Sequence, residues 1–504
     1  MAIPDQAERA PTATTLAAWA STLELGDVPE RVVAFAKSQV LSMLAAALTS
    51  LDHPIGARVK AAFGPPLQDD PQRTAYALAA LTMCLDYDDT LYAGHLSHST
   101  VNVPLAYSRS LALDGRSLLT AVLAANETAA RIAAASTLGR FRGQSASHPH
   151  LCGAVAARLR AEAAPAERWV DALGLALAFP PWTLRPAFVG SDAKLLTAAS
   201  SIRLGLDACD AAAAGIRGRA DLIERDGGFL DEFSDVPLPR AVTARLGERW
   251  HTETLSFKVH PTSTGVHASV DAAVALHPQL AADADAIEEV VVHTNLLTVR
   301  VDETAKTYLD GPESPVSALQ YSVSYNVATA LLTGSLDAGD FTTPAVADPA
   351  RWALADKVTV EHDYELTGRA LLATTPLGEA LREAGPRAVD WLLATGGIKA
   401  AETPDGEGPP PDVFGTPSET FEDADKAIGA RVVVRMRDGR ELVEEQITAI
   451  GASGPDTRAR HPELMRSKFL SAGGSAEVAD LVARLEDATA DELAGALTAT
   501  FAGR

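Results

Sequence analysis

Apolar residues recur every three or four positions through most of the first half of the chain, the spacing of helices that bury one face. Val28–Leu48 (VPERVVAFAKSQVLSMLAAAL) opens on Pro29 and Glu30, which suit a first helical turn. Arg116–Ala135 and Cys152–Leu159 repeat the pattern, with Ala and Leu facing inward. Gly64-Pro65-Pro66, Gly139–Gly143 and Pro180-Pro181 interrupt it. Helix is therefore predicted nearly throughout from about Thr14 to Ala213. After about Lys258 the character changes. Ile287–Val301 (IEEVVVHTNLLTVRV) is β-branched and predicts a strand, as does Lys357–Val360. Ala430–Glu445 alternates on either side of Asp438-Gly439, which predicts a hairpin. Glu402–Glu422 is rich in Pro, Gly and acids and predicts a long exposed loop, and Ala476–Phe501 predicts a closing helix. Strands bracketed by helical runs predict a mainly α protein: a large all-α domain (1–262 and 456–504) with a smaller α+β domain (263–455) inserted into it.

Composition narrows the classes of function. Hydrophobic residues make up 47% of the 504, enough for a sizeable core, and the aromatic share of 5% beside abundant Ala favours close-packed helices. The net charge of −23 repels phosphate backbones and argues against a nucleic-acid partner. Cys84, Cys152 and Cys209 show no CxxC spacing, so neither a disulfide framework nor a structural zinc site is expected. The apolar stretches Leu41–Leu48 and Ala172–Phe179 fall short of the roughly 20 residues that span a bilayer, and no basic n-region precedes an apolar core at the N-terminus. A cytoplasmic protein without membrane association is the expectation.

The chemistry concentrates in histidines, acids and lysines. Six of twelve histidines form three close pairs, His95 with His98, His148 with His150, and His260 with His267, each in a Gly/Ser/Pro-rich segment. Asp86-Tyr87-Asp88-Asp89-Thr90 precedes the first pair. Three carboxylates in four residues repel one another unless a cation or hydrogen bond compensates. Such a cluster serves as helix caps, or one Asp orients a histidine while Thr90 or a His meets an anionic substrate. Lys194, in GSDAKLLT, and Lys258, in FKVHP, stand among small and apolar residues. They read either as solvated charges or as ammoniums aimed at a substrate carboxylate. No HExxH or facial-triad spacing is present, so no metal is expected; no GxGxxG turn after a strand, P-loop or GxSxG elbow suggests a nucleotide cofactor or an α/β-hydrolase.

These segments, in this order, resemble the MmgE/PrpD family, which includes 2-methylcitrate dehydratases, cis-aconitate decarboxylases and iminodisuccinate epimerases. The likeness runs through LGDVPERVVAFAKSQVLSMLAAAL from Leu25, LDYDDT at Leu85–Thr90, GSDAKLLTAASSIRLGLDA at Gly190–Ala208 and RDGGFLDEF at Arg225–Phe233. It continues through FKVHP, YSVSYNVATALLTG at Tyr321–Gly334 and SKF at Ser467–Phe469. The resemblance implies a large helical domain with a smaller α+β lid, a metal-free and cofactor-free site in the cleft, and a homodimer. Carried over by position, it implies catalytic roles for Asp86, His98, Lys194 and Lys258, with Thr90 binding substrate and His95 as the fallback for His98. The family's histidine-proline segment falls at His148–Gly153 with spacing one residue short, leaving both His148 and His150 as candidates. Decarboxylases of the family carry a histidine five residues after the second lysine. This chain has Ser263 there, which hydrogen-bonds a carboxylate but is no imidazolium proton donor. His260 and His267 are the nearby histidines that substitute for it in this reading.

All three family chemistries develop negative charge on a carbon next to a carboxylate, and so call for cations and a proton-transfer group. The resemblance therefore implies an enzyme acting on a small polycarboxylic acid. A hydro-lyase ranks first, an epimerase or isomerase second and a decarboxylase third, against a non-catalytic carboxylate-binding homologue as the alternative of another class.

Overall fold

A computed structural model describes residues 10–140, 142–143, 146–280, 284–395 and 412–504. Its larger part is helical and is assembled on helices whose starts the sequence marks. Helix Glu30–Leu51 follows Pro29 and packs along helix Pro455–Ser471, which returns from the far end of the chain. Helix Gly115–Ala135 begins where the Asp114 side chain accepts from Ser117 N at 2.8 Å. It lies against helix His148–Ala161, which packs on helix Lys194–Ala213 and through it on helix Pro71–Met83. Helices Glu30–Leu51 and Gly115–Ala135 are long and apolar enough to cross a bilayer, but most of their residues are buried among the other helices, which accounts for that hydropathy.

The second part is built on a four-stranded sheet in the order β4-β3-β5-β6. Here β3 is Ile287–Thr294, β4 Val358–His362, β5 Ala430–Met436 and β6 Glu441–Gln446. Strand β3 runs parallel to β4 and antiparallel to β5, with Val290 opposite both Val358 and Val434. Ile287, Val290, Val292, Val432 and Val434 bury one face beneath helices His267–Leu280 and Val323–Thr333, forming a separate apolar cluster. Glu441, Glu444 and Glu445 line the edge strand, where charge discourages pairing with another chain. Residues 379–395 fall within the 263–455 stretch, yet Ala380, Leu381, Ala388 and Leu392 join the helical core, as do Phe414 and Phe421.

Several elements differ from the sequence reading. The strand predicted over Ile287–Val301 stops at Thr294, because the Asn295 side chain accepts from Thr298 N at 3.1 Å and starts helix Leu296–Lys306. The predicted closing helix Ala476–Phe501 is two helices, Ala476–Ala483 and Ala490–Thr500, the second opened by a reciprocal Thr489–Glu492 capping box. The predicted Cys152–Leu159 helix starts four residues earlier, so His148 and His150 sit in its first turn. Residues 402–411 of the predicted loop lie outside the described residues.

Candidate active site

Asp86 follows helix Pro71–Met83 and adopts φ +50°, a left-handed conformation that Asp tolerates better than most residues. The turn sends Asp88 and a two-residue strand, β1 (Asp89–Thr90), alongside β2 (Ser256–Phe257). Asp89 pairs with Phe257 and Thr90 with Ser256, while Lys258 N donates to Asp88 O at 3.2 Å. That short ladder sets the Lys258 ammonium between two carboxylates, 2.7 Å from Asp86 Oδ1 and 2.9 Å from Asp88 Oδ1. Lys194, the first residue of its helix, reaches Asp86 Oδ2 at 3.2 Å from the other side. Its Nζ donates to Gln320 Oε1 at 3.2 Å and lies 4.8 Å from the centre of the Tyr321 ring. Asp88 Oδ2 then holds His95 through Nδ1 at 2.7 Å.

The result is a buried chain of alternating charge from Lys194 through Asp86 and Lys258 to Asp88, with the half-buried His95 hydrogen-bonded at its end. Burial opposes the Asp86 carboxylate, but Lys194 and Lys258 outweigh it and hold its pKa at about 2. Asp88, buried beside Lys258 and the two histidines, is held well below the usual carboxylate range. Lys258 is raised by its two carboxylates against burial. Burial lowers Lys194 despite the pull of Asp86. Around this chain stand groups without such compensation. Burial and the neighbouring Asp88 push Asp89 up to about 7, and burial brings both Lys426 and Lys468 down to about 7. Lys468 Nζ donates to Tyr87 O at 2.6 Å and lies 4.0 Å from that ring's centre; Lys426 Nζ donates to Thr90 Oγ1 at 2.7 Å.

A cavity of about 340 Å³ opens beside the network. Thr90, His95, Arg185, Ser263, Tyr321 and Lys426 give it polar groups, and Phe188, Val266, Leu297 and Ile428 are among its apolar walls. The sequence candidates separate accordingly. Thr90, His95 and Ser263 face the cavity. Asp86, Lys194 and Lys258 lie behind it, fixing one another. His98 is fully buried on the short helix Ser97–Thr100, its Nδ1 2.8 Å from Thr82 Oγ1 and its Nε2 3.2 Å from Asp88 Oδ2. His150 lies a further layer back, its ring 5.7 Å from the His98 ring and tilted to it, with Nδ1 3.1 Å from Ser99 Oγ. Burial keeps both imidazoles below their ordinary pKa and so favours their neutral forms. The layers approach this closely because residue 153 is glycine: a Cβ there would collide with Ser99 Oγ.

The other histidines are placed elsewhere. His148 points away from the acids, its Nε2 2.8 Å from Pro181 O and its ring edge-on to Phe229 and Phe233, where burial lowers it to about 4. His260 pairs with Asp271 at 3.0 Å. His267 contacts Thr262 O at 3.2 Å and lines a small recess with Lys258 and Lys426. Arg185, Tyr321, Lys426, Gln320 and Lys468 have no counterpart among the sequence candidates. Tyr321 and Lys468 lie in the quoted YSVSYN and SKF segments, whereas nothing local in sequence marks Arg185 or Lys426.

Among the described residues one trio brings together atoms able to ligate a metal: Asp88, His95 and His98, within 4.8 Å of one another. The trio fits a cation poorly, because the Lys258 ammonium already lies 2.9 Å from Asp88 and would repel it.

Residues 14–240 match the MmgE/PrpD N-terminal domain and residues 260–406 the MmgE/PrpD C-terminal domain. The chain is 28% identical over 343 residues to a 2-methylcitrate dehydratase of Cupriavidus necator, a match covering 62% of this chain and 66% of that protein, just under two thirds of its length. Asp86, Thr90, His95 and Lys194 lie inside the first matched domain and Ser263 and Tyr321 inside the second. With both domains matched in order, the chain belongs to the MmgE/PrpD family.

Proposed function

We propose that the protein is a metal-independent, cofactor-independent lyase of the 2-methylcitrate dehydratase type, removing water from a small hydroxy-polycarboxylic acid. The observation that carries the reading is His95. Asp88 accepts from its Nδ1–H at 2.7 Å, leaving Nε2 as the nitrogen with no partner among the described residues, on a ring that lines the cavity. A neutral imidazole so oriented is a base, and the carboxylate behind it stabilises the imidazolium that forms. His98, our sequence-based choice for this role, becomes a positioning residue that packs Asp88 from behind.

In this reading His95 Nε2 takes the proton from the carbon next to a substrate carboxylate. That electron pair forms the double bond as the carbon–oxygen bond breaks. The departing hydroxide takes a proton from the Tyr321 phenol, which burial keeps protonated, and leaves as water. Thr90 and Ser263 orient the substrate from the cavity wall. Lys194, Asp86 and Lys258 supply a preorganised field for the developing charge. A cavity of about 340 Å³ suits a small acid. We read the β3–β6 part as a lid over the helical part, and carry the cytoplasmic homodimer implied by the resemblance within the same proposal.

One observation favours a second reading, an epimerase: Lys426, at about 7, is another group on the same cavity able to exchange a proton near neutrality. Incubation in deuterium oxide with 2-methylcitrate, cis-aconitate and an amino-dicarboxylate, followed by proton NMR, separates the cases. A lyase gives an unsaturated acid. An epimerase exchanges the α-proton without losing water, and a decarboxylase releases carbon dioxide. A carboxylate-binding homologue does none of these, and that result would overturn the proposal.

A further inference from the structure

Resting on that reading, the charge arrangement raises the question of which cations meet the substrate's carboxylates. Lys194 and Lys258 are occupied. Lys258 contacts two carboxylates and Lys194 one, each side chain is almost wholly buried, and neither lines the main cavity. A ligand carboxylate could reach them only by displacing Asp86 or Asp88.

Two other cations do line it. Lys426 is 4% exposed, and its ammonium has one side-chain partner, the Thr90 hydroxyl at 2.7 Å; no carboxylate lies within 4.0 Å of it among the described residues. Burying an ammonium without a counter-ion is costly, and such a group persists where the fold holds it or a ligand completes it. Here the fold holds it. Lys426 N donates to Ser453 O at 2.9 Å, and Thr374 N and Thr375 N donate to the preceding residue, at Asp425 Oδ1 (2.7 Å) and Asp425 O (3.0 Å). Ala424 O accepts from Arg458 Nη1 at 2.6 Å and Ser453 Oγ at 3.1 Å. Arg185 stands at the exposed side of the cavity and makes no hydrogen bond or ion pair with any described residue.

We propose that Lys426 and Arg185 are the substrate-binding cations of this cavity, Lys426 taking an inner carboxylate beside Thr90 and Arg185 an outer one. The ligand is then a small acid bearing at least two carboxylates, one of which supplies the counter-charge that Lys426 lacks. Lys426 lies beyond the 260–406 match, in the described 412–429 segment.

Calorimetric titration of the full chain with tricarballylate, an unreactive tricarboxylate, tests the assignment. Lys426→Met should weaken binding by roughly 30-fold or more, the range expected when one partner of a buried charge pair is truncated. Lys426→Arg should recover part of that loss, and Arg185→Gln should weaken binding by roughly 2- to 5-fold, as for an exposed pair. Circular dichroism checks that each variant is folded. If Lys426→Met does not fold, Lys426→Gln and the exposed Arg185→Gln carry the same comparison. Binding within threefold of the parent in Lys426→Met or Lys426→Gln, or unchanged binding in Arg185→Gln, overturns the assignment of that residue and leaves the lyase reading standing. A parent chain that binds neither tricarballylate, citrate nor 2-methylcitrate overturns the polycarboxylate reading, and the assignment with it.

Discussion

Replacing Asp86 by Asn probes the network at its centre. The carboxylate lies 2.7 Å from Lys258 Nζ and 3.2 Å from Lys194 Nζ, with all three side chains buried. Asn preserves the volume and removes the charge. Lys258 keeps Asp88 at 2.9 Å, whereas Lys194 keeps no carboxylate among the described residues. Removing one side of a buried pair costs roughly 3–5 kcal/mol. The carboxyl's own shift gives a second measure: a move from 3.8 to about 2 corresponds to about 2 kcal/mol. The expected loss is therefore about 2–5 kcal/mol at pH 7. Equilibrium urea unfolding, followed through the buried Trp169 and Trp250, measures it. Because the folded pKa lies below the unfolded one, Asp86 contributes fully above about pH 4 and loses its contribution as pH falls toward 2. The gap between parent and variant should stay level from pH 7 to about 5 and narrow below about 4. Adding Lys194→Met should restore part of the loss by removing the stranded ammonium. A loss under about 1 kcal/mol at pH 7, or a gap that does not narrow in acid, would refute the argument that Asp86 is ionised between two lysines.

Further expectations follow from the same geometry. His95→Gln should lower turnover by on the order of 10²–10⁴ with the melting temperature unchanged. His98→Gln should act mainly through stability, so the reverse ranking, scored by steady-state kinetics beside thermal melts, would return proton transfer to His98. Gly153→Ala should destabilise the fold by about 1–3 kcal/mol, since its Cβ meets Ser99 Oγ in a packed layer; an unchanged urea midpoint would mean that the layers separate freely. Activity should survive dialysis against EDTA, and loss restored by zinc, iron or magnesium would contradict a site in which Lys258 occupies the cationic position.

The helices were legible where apolar spacing was long and regular, as in Glu30–Leu51. The strand expected over Ile287–Val301 ends at Asn295, whose capping bond outweighs the β preference of the residues after it. Asp86, Thr90, Lys194 and Lys258 stood out in sequence, and they do converge. Their division into cavity wall and buried support did not show, because it depends on Asp88, which engages Lys258 and His95 at once. The resemblance favoured His98 with His95 as the fallback; the short helix Ser97–Thr100 buries His98 and leaves His95 at the cavity. Lys426 meets Thr90 across 336 residues of chain, a contact that local pattern does not encode.

The two-residue pairing of β1 with β2 also has a bearing on how the molecule is made. It joins Asp86 and Asp88 to a lysine 172 and 170 residues further on. Closing a loop of that length is entropically slow, and the helices can gain most of their local contacts without it. Until Lys258 arrives, the acids of the Asp86–Asp89 turn repel one another and favour hydration over burial. The Asp86–Asp88–Lys258 network is thus expected among the last regions to consolidate as the chain folds.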